Sequence, residues 1–247
     1  QAAYFVLSGT EAAVIDPMRD PAPYLELAKR HNATIKYVIE THFHADFVSG
    51  HVDLAKATGA TIVYGPKAEP AFDAFIAKDG EELPLGDHKF TALHTPGHTM
   101  ESTTFLLHKS DGAPHAIFTG DTLFIGDAGR PDLAQKAASM TQEQLAALLF
   151  TSLRTKIMPL PDDVVVFPGH GAGSACGKNM SSETQDTLGR QKLTNYTLRA
   201  DATQEEFIKE LLDGLRAPPQ YFGSQVAINK GHAAVDETYA DIIEGGK

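Results

Sequence analysis

Cysteine is almost missing from this chain: Cys176 is the only one in 247 residues. An internal disulfide is therefore excluded, and a reducing, cytoplasmic setting is expected. Positive charge is also short, with 21 Lys and Arg against 32 Asp and Glu and a net charge of -11. Phosphate backbones and anionic lipid surfaces call for clustered cations, so the charge balance argues against nucleic acid or a membrane as partner. No run of about 18 apolar residues occurs, so no transmembrane helix is expected. No charged-then-apolar leader opens the chain. It begins directly in AAYFVLS, which reads as a strand, so the natural start is expected upstream. Glycine (21) and proline (14) are too few for a low-complexity segment and ordinary for a loop-rich globular enzyme. What is present is enough apolar material, 42% of residues, for one sizeable core.

Strand patterns come first along the chain. AYFVLS and EAAVID flank a Ser-Gly-Thr turn, and TIKYVIE, TIVYG, FTALHTPGH, STTFLLH, HAIFTGD and DDVVVFPGH follow. Helical spacing marks residues 22–31, 49–58, 141–158, 182–199 and 203–216, and the TQEQ start of the third can form a capping box. From residue 217 the pattern is less regular, ending in Gly-Gly-Lys. This mixture predicts an α/β fold, sheets covered by outer helices. A single domain over residues 1–247 is expected, with a core over about 1–175 and a helical extension over 176–247.

Four loops share one chemistry. THFHADF (41–47), HTPGHT (94–99), FTGDT (118–122) and FPGHG (167–171) each place His or Asp where an apolar strand ends. Strand ends hold side chains stiffly, and imidazole with carboxylate suits divalent Zn, Fe or Mn. Taken singly, each loop also suits a turn. The alternation in THFHADF is harder to assign to turn-making. In extended geometry His42, His44 and Asp46 would share one side and Phe43, Ala45 and Phe47 the other. Burying three such groups together is costly unless something binds them.

The order THxHxD, TPGHT, GDTL, PGHG resembles the metallo-β-lactamase superfamily over roughly residues 10–175. That resemblance implies an αββα four-layer sandwich with a metal at one edge of its sheets. FIGDAGRPDL (124–133) looks like the persulfide dioxygenases, and PGHGAGSACGKN (168–179) with TNYTL (194–198) resembles the bacterial branch often fused to rhodanese domains. The resemblance implies an enzyme oxidising glutathione persulfide with O₂ to sulfite and glutathione on a single Fe(II) per chain. It implies iron ligands at His42, His98 and Asp121, with His44, Asp46 and His170 around them. It also implies a homo-oligomer, dimer or tetramer, and a rhodanese or sulfurtransferase partner. Two-zinc hydrolases of the superfamily carry a further histidine where this chain has Phe47, which argues for one metal.

His44, Asp46 and Arg130 are the candidate catalytic groups. Arg130 is expected at the mouth, its fork suited to the carboxylates of an anionic thiol. Cys176 reads either as a small buried apolar residue or as a thiol carrying sulfur, with Lys178 favouring its thiolate. Lys192 and Tyr196 are candidate substrate contacts. A zinc-dependent glutathione thioester hydrolase of the glyoxalase II type is the alternative reading, and a sulfur-carrier module is a third.

Overall fold

The computed structural model describes residues 1–235. Two twisted sheets form around an apolar seam. The first holds β1 (Tyr4–Ser8), β2 (Glu11–Ile15), β3 (Thr34–Ile39), β4 (Thr61–Tyr64) and β5 (Phe75–Ile76), side by side in that order. The β1–β2 hairpin is antiparallel, and β2 through β5 run parallel. The second sheet holds β6 (Glu82–Leu85), β7 (His88–His94), β8 (Thr103–His108), β9 (Pro114–Gly120), β10 (Val165–Pro168) and β11 (Asp186–Thr187), neighbours in reverse order. It is antiparallel except where β9 and β10 run together.

Period-two alternation builds the layers. In β2, Ala13 and Ile15 face the second sheet and meet Leu83, Leu85, Phe90 and Phe105. Ala12 and Val14 face the other way, onto Tyr24 and Ala28 of α1 (Ala22–Arg30) and Leu54 of α2 (His51–Thr58). On the far side, Leu106, Ile117 and Val166 pack against Ala146 and Leu149 of α4 (Gln142–Ser152), with α3 (Gln135–Ala138) preceding it. The result is helix, sheet, sheet, helix: the αββα sandwich expected. Phe207 and Leu211 of α6 (Gln204–Leu212) join that outer cluster, as does Leu188 of α5 (Leu188–Thr194).

Helix boundaries differ from the pattern reading where side chains compete for backbone groups. The capping box at Thr141 forms, but α4 gives way at Leu153 to a π turn running to Ile157. The helix expected over 182–199 is confined to α5 and a short 3-10 turn, Tyr196–Leu198. Asn195 separates them, its side-chain amide donating to the carbonyls of Phe124 and Asp127. Beyond residue 217 an additional helix, α7 (Phe222–Asn229), forms where the sequence looked irregular. The Gly-Gly-Lys end lies outside the described residues.

Candidate metal centre

The four motif loops leave the C-terminal ends of β3, β7, β9 and β10, which all point to one edge. A backbone hydrogen bond from Thr103 to Thr41 joins the sheets there. Gly120 turns the chain with φ +50, and a Cβ at that position would strike the Thr41 side chain. Asp121 follows immediately.

His42, His98 and Asp121 converge. Their ligand atoms all lie within 4.8 Å of one another, and all three are buried. Asp121 Oδ2 is 3.3 Å from His98 Nε2 and 3.8 Å from His42 Nε2. A cation bonded at about 2.1 Å to each would separate its ligands by about 3.0–3.4 Å, so the group needs only a small contraction. The outer ring nitrogens are already engaged. His98 Nδ1 donates to the Arg130 carbonyl at 2.8 Å. Thr41 Oγ1 donates to Asp16 and so accepts from His42 Nδ1 at 3.0 Å. Both hydrogen bonds place the proton on Nδ1 and leave the Nε2 lone pairs free, the arrangement a metal-binding imidazole requires.

Neither oxygen of Asp121 has a hydrogen-bond partner. Burial, then the nearby Asp46 carboxylate, pushes its pKa up to about 8. Burial lowers His98 to about 4 and holds His42 well below its ordinary value. Two neutral imidazoles around an orphaned carboxyl fit a divalent cation. At pH 7 the raised Asp121 is mostly protonated and the histidines are not. Cation binding at pH 7 is therefore expected to release about one proton, and affinity to rise with pH until Asp121 is ionised, levelling off above pH 8. Calorimetry in buffers of differing ionisation enthalpy measures that proton; no release at pH 7 would contradict this electrostatic picture.

Residues 41–47 are not the extended ladder expected, because β3 stops at Ile39. Side chains capture the backbone beyond it: Asp16 Oδ1 accepts from Thr41 N–H and Glu101 Oε1 from Phe43 N–H. The three polar groups consequently part company. His42 goes to Asp121. The His44 ring lies against that of His42, 4.3 Å between centroids, but directs its Nε2 to Asp16 at 3.0 Å and Glu40 at 3.4 Å. Burial opposes charge on His44, but the two carboxylates prevail and hold it well above its ordinary pKa. The Phe47 ring packs on the His44 ring, 4.6 Å between centroids. Asp46 instead meets His170, 3.3 Å away, and His170 Nε2 is 3.4 Å from Asp121 Oδ1. The catalytic expectation for His44 is thus corrected: it belongs to a buried cluster with Asp16 and Glu40 rather than to the open site.

Arg130 is corrected as well. Its guanidinium is buried, clamps Asp132 bidentately and donates to the carbonyls of Ala175 and Arg216. It closes the loop and presents no fork to a ligand. Lys192 pairs with Asp162 and donates to the Leu160 carbonyl. Tyr196 donates to Asp127, which also receives the backbone N–H groups of Lys178 and Asn179. Both hold loops in place and neither lines the cavity beside the cluster. Cys176 sits buried among Ala45, Phe124 and Phe222, within 4.8 Å of ligand atoms of Asp46 and His170. Burial, then Asp121 and Asp46, pushes its thiol up. Lys178 Nζ is bound to the carbonyls of Glu210 and Asp213, so it does not favour a thiolate at Cys176.

A cavity of about 630 Å³ opens on Asp46 and His170, bounded by the glycine-rich 171–175 loop, Ser182 and Tyr221. Pattern reading missed Asp16, Glu40, Tyr221 and Asn229. For the first two a signal existed, an acid closing an otherwise apolar strand. Tyr221 and Asn229 carry none, because they reach the site only through the packing of α7.

Residues 1–170 match the metallo-beta-lactamase superfamily. The cytoplasmic hydroxyacylglutathione hydrolase of Arabidopsis thaliana is 35% identical over 162 residues, 65% of this chain and 58% of that one. The matches to further hydroxyacylglutathione hydrolases likewise span about three fifths of their length. The mitochondrial persulfide dioxygenase ETHE1 of Homo sapiens is 30% identical over 222 residues, 89% of this chain and 78% of that one. Among solved structures, a metallo-beta-lactamase from Staphylococcus aureus superposes with a TM-score of 0.82 at 32% identity, covering 95% of this chain and 74% of its own. ETHE1 from Myxococcus xanthus superposes with a TM-score of 0.77 at 26% identity, covering 94% of each.

Proposed function

The chain belongs to the metallo-beta-lactamase superfamily, and we propose that within it this protein is an Fe(II)-dependent persulfide dioxygenase acting on glutathione persulfide. The overall change is GSSH + O₂ + H₂O → GSH + SO₃²⁻ + 2H⁺, in which the outer sulfur is oxidised and O₂ reduced. One observation carries the reading: His42, His98 and Asp121 form a two-histidine, one-carboxylate set, while the third imidazole of the motif, His44, is held away by Asp16 and Glu40. Such a set leaves several coordination positions free and is the usual arrangement of non-haem Fe(II) oxygenases. Likeness to ETHE1 over most of both chains points the same way.

Iron bound there would bring the persulfide sulfur and O₂ together and supply the electrons that the first step with O₂ needs. The chain's own groups do the rest. Thr41 and the Arg130 carbonyl fix the two imidazoles in the ligating tautomer. Asp46 and His170 stand on the cavity side of Asp121. Asp46 lines the cavity, and in this reading its carboxylate would accept a proton from the persulfide or from water. Ala45, Phe124, Phe222 and the Cys176 side chain form a dry wall beside it. Tyr221 bounds the cavity mouth, where the thiol's peptide portion would lie.

A zinc thioester hydrolase is the second reading, favoured by the similarity to hydroxyacylglutathione hydrolases and by the way His170, itself paired with Asp46, approaches the other oxygen of Asp121. Metal analysis of anaerobically purified protein, with O₂ uptake and thioester cleavage measured on the same sample, separates them. One iron per chain with persulfide-dependent O₂ uptake is expected. Stoichiometric zinc with thioester cleavage and no O₂ uptake would establish the hydrolase.

A further inference from the structure

Between His42 and Ser49 the chain has no regular structure, yet it carries a buried candidate ligand, His42, and the half-buried Asp46. Buried backbone groups require partners. Three of them converge on one side chain from the far end of the chain. Asn229 Nδ2 donates to the carbonyls of His44 and Phe47, both at 2.8 Å, and Asn229 Oδ1 accepts from Ser49 N–H at 2.9 Å. Both amide hydrogens and one acceptor are thereby used, with the amide itself buried. The anchored carbonyls bracket Asp46 and lie just past His42.

The helix that delivers Asn229 is itself held against the loop. Phe222 of α7 packs on Ala45, Val226 packs against the clusters of both Phe43 and Ala45, and Lys230 lies over the Phe43 ring. The Lys230 carbonyl accepts from Ala71 N–H. Phe222, Val226, Asn229 and Lys230 all lie outside residues 1–170, the part matching the superfamily.

We propose that Asn229 is a positioning residue of the metal centre: through three backbone hydrogen bonds it sets where the 42–49 loop places His42 and Asp46, so α7 is part of the site. The role is independent of whether iron or zinc is the resident metal. It acts through the loop backbone, and Asn229 touches none of His42, His98 or Asp121. Outer groups that orient metal ligands change affinity by about 10–100-fold when removed.

The test is Co²⁺ binding to metal-free protein, read as dissociation constant and visible d–d spectrum, well below the Tm of each variant. Asn229→Leu, similar in size and without polar atoms, is expected to weaken Co²⁺ about 10–100-fold and to shift the d–d bands. Ile228→Ala, on the same helix and outside those three hydrogen bonds, should lower Tm while leaving affinity and spectrum as in the wild type. If Asn229→Leu does not fold, Asn229→Ser, which keeps one donor, serves in its place with a smaller loss. Wild-type affinity and spectrum in a folded Asn229 variant would overturn the proposal, as would an equal loss in Ile228→Ala. Because the probe is metal binding rather than turnover, failure here leaves the dioxygenase reading standing, and failure of that reading leaves this one standing.

Discussion

His98→Ala is expected to abolish iron binding and, with it, persulfide-dependent O₂ uptake. Its Nε2 is the ring nitrogen nearest Asp121 Oδ2, and the Arg130 carbonyl keeps the proton on Nδ1. Alanine removes one of the three proposed ligands and leaves that buried carbonyl without its donor. The loss should exceed the roughly 10–100-fold typical of groups that merely orient a ligand. His44→Ala provides the contrast. That imidazole lies between Asp16 and Glu40, so its removal leaves two buried carboxylates uncompensated. It should lower stability sharply while iron occupancy of the folded protein is retained. Metal content of anaerobically purified variants, beside their urea unfolding midpoints, reads both effects. Full iron occupancy in His98→Ala, or its loss from well-folded His44→Ala, would reverse the assignment.

The second large effect is expected at Arg130, as a loss of stability rather than of substrate affinity. A buried guanidinium that clamps Asp132 and two main-chain carbonyls cannot be removed without stranding those partners. Breaking a buried pair from one side costs about 3–5 kcal/mol, enough to threaten a domain whose whole margin is about 5–15 kcal/mol. Arg130→Met, which keeps apolar bulk, should therefore show a much lower unfolding midpoint, with KM for the persulfide in the remaining folded protein near the wild-type value. The opposite pattern, raised KM at unchanged stability, would restore the sequence-based picture of an anion clamp at the mouth. Lysine would not rescue, because a single ammonium cannot reproduce the planar fork on Asp132.

The contrast between these two positions shows which parts of the site were legible. His98 and Asp121 each follow a β run that is continuous in sequence, so strand pattern and loop motif together locate them. His42 was legible for the same reason. Arg130 sits in an equally distinctive loop, but a motif reports only that a residue type recurs there. Whether its charge faces solvent, ligand or the protein's own carbonyls is settled by segments far away in sequence, here Ala175 and Arg216. Cys176 repeats the lesson: Lys178 is two residues away along the chain, yet its ammonium is spent on the end of α6.

The amino-acid sequence by itself determined the strand and helix pattern and the four strand-terminal His and Asp motifs, while the four-layer order and the candidate metal edge followed only from the family resemblance. Period-two and helical spacing are local properties that survive any tertiary arrangement. Only the tertiary structure decided how THFHADF divides its polar groups. Alternation promised one shared face, but the strand ends at Ile39, and Asp16, Glu101 and Asn229 take the backbone beyond it. Those partners come from up to 185 residues away. Their hydrogen bonds outweigh the extended preference of so short a segment, sending His42 to Asp121, His44 to Asp16 and Glu40, and Asp46 to His170.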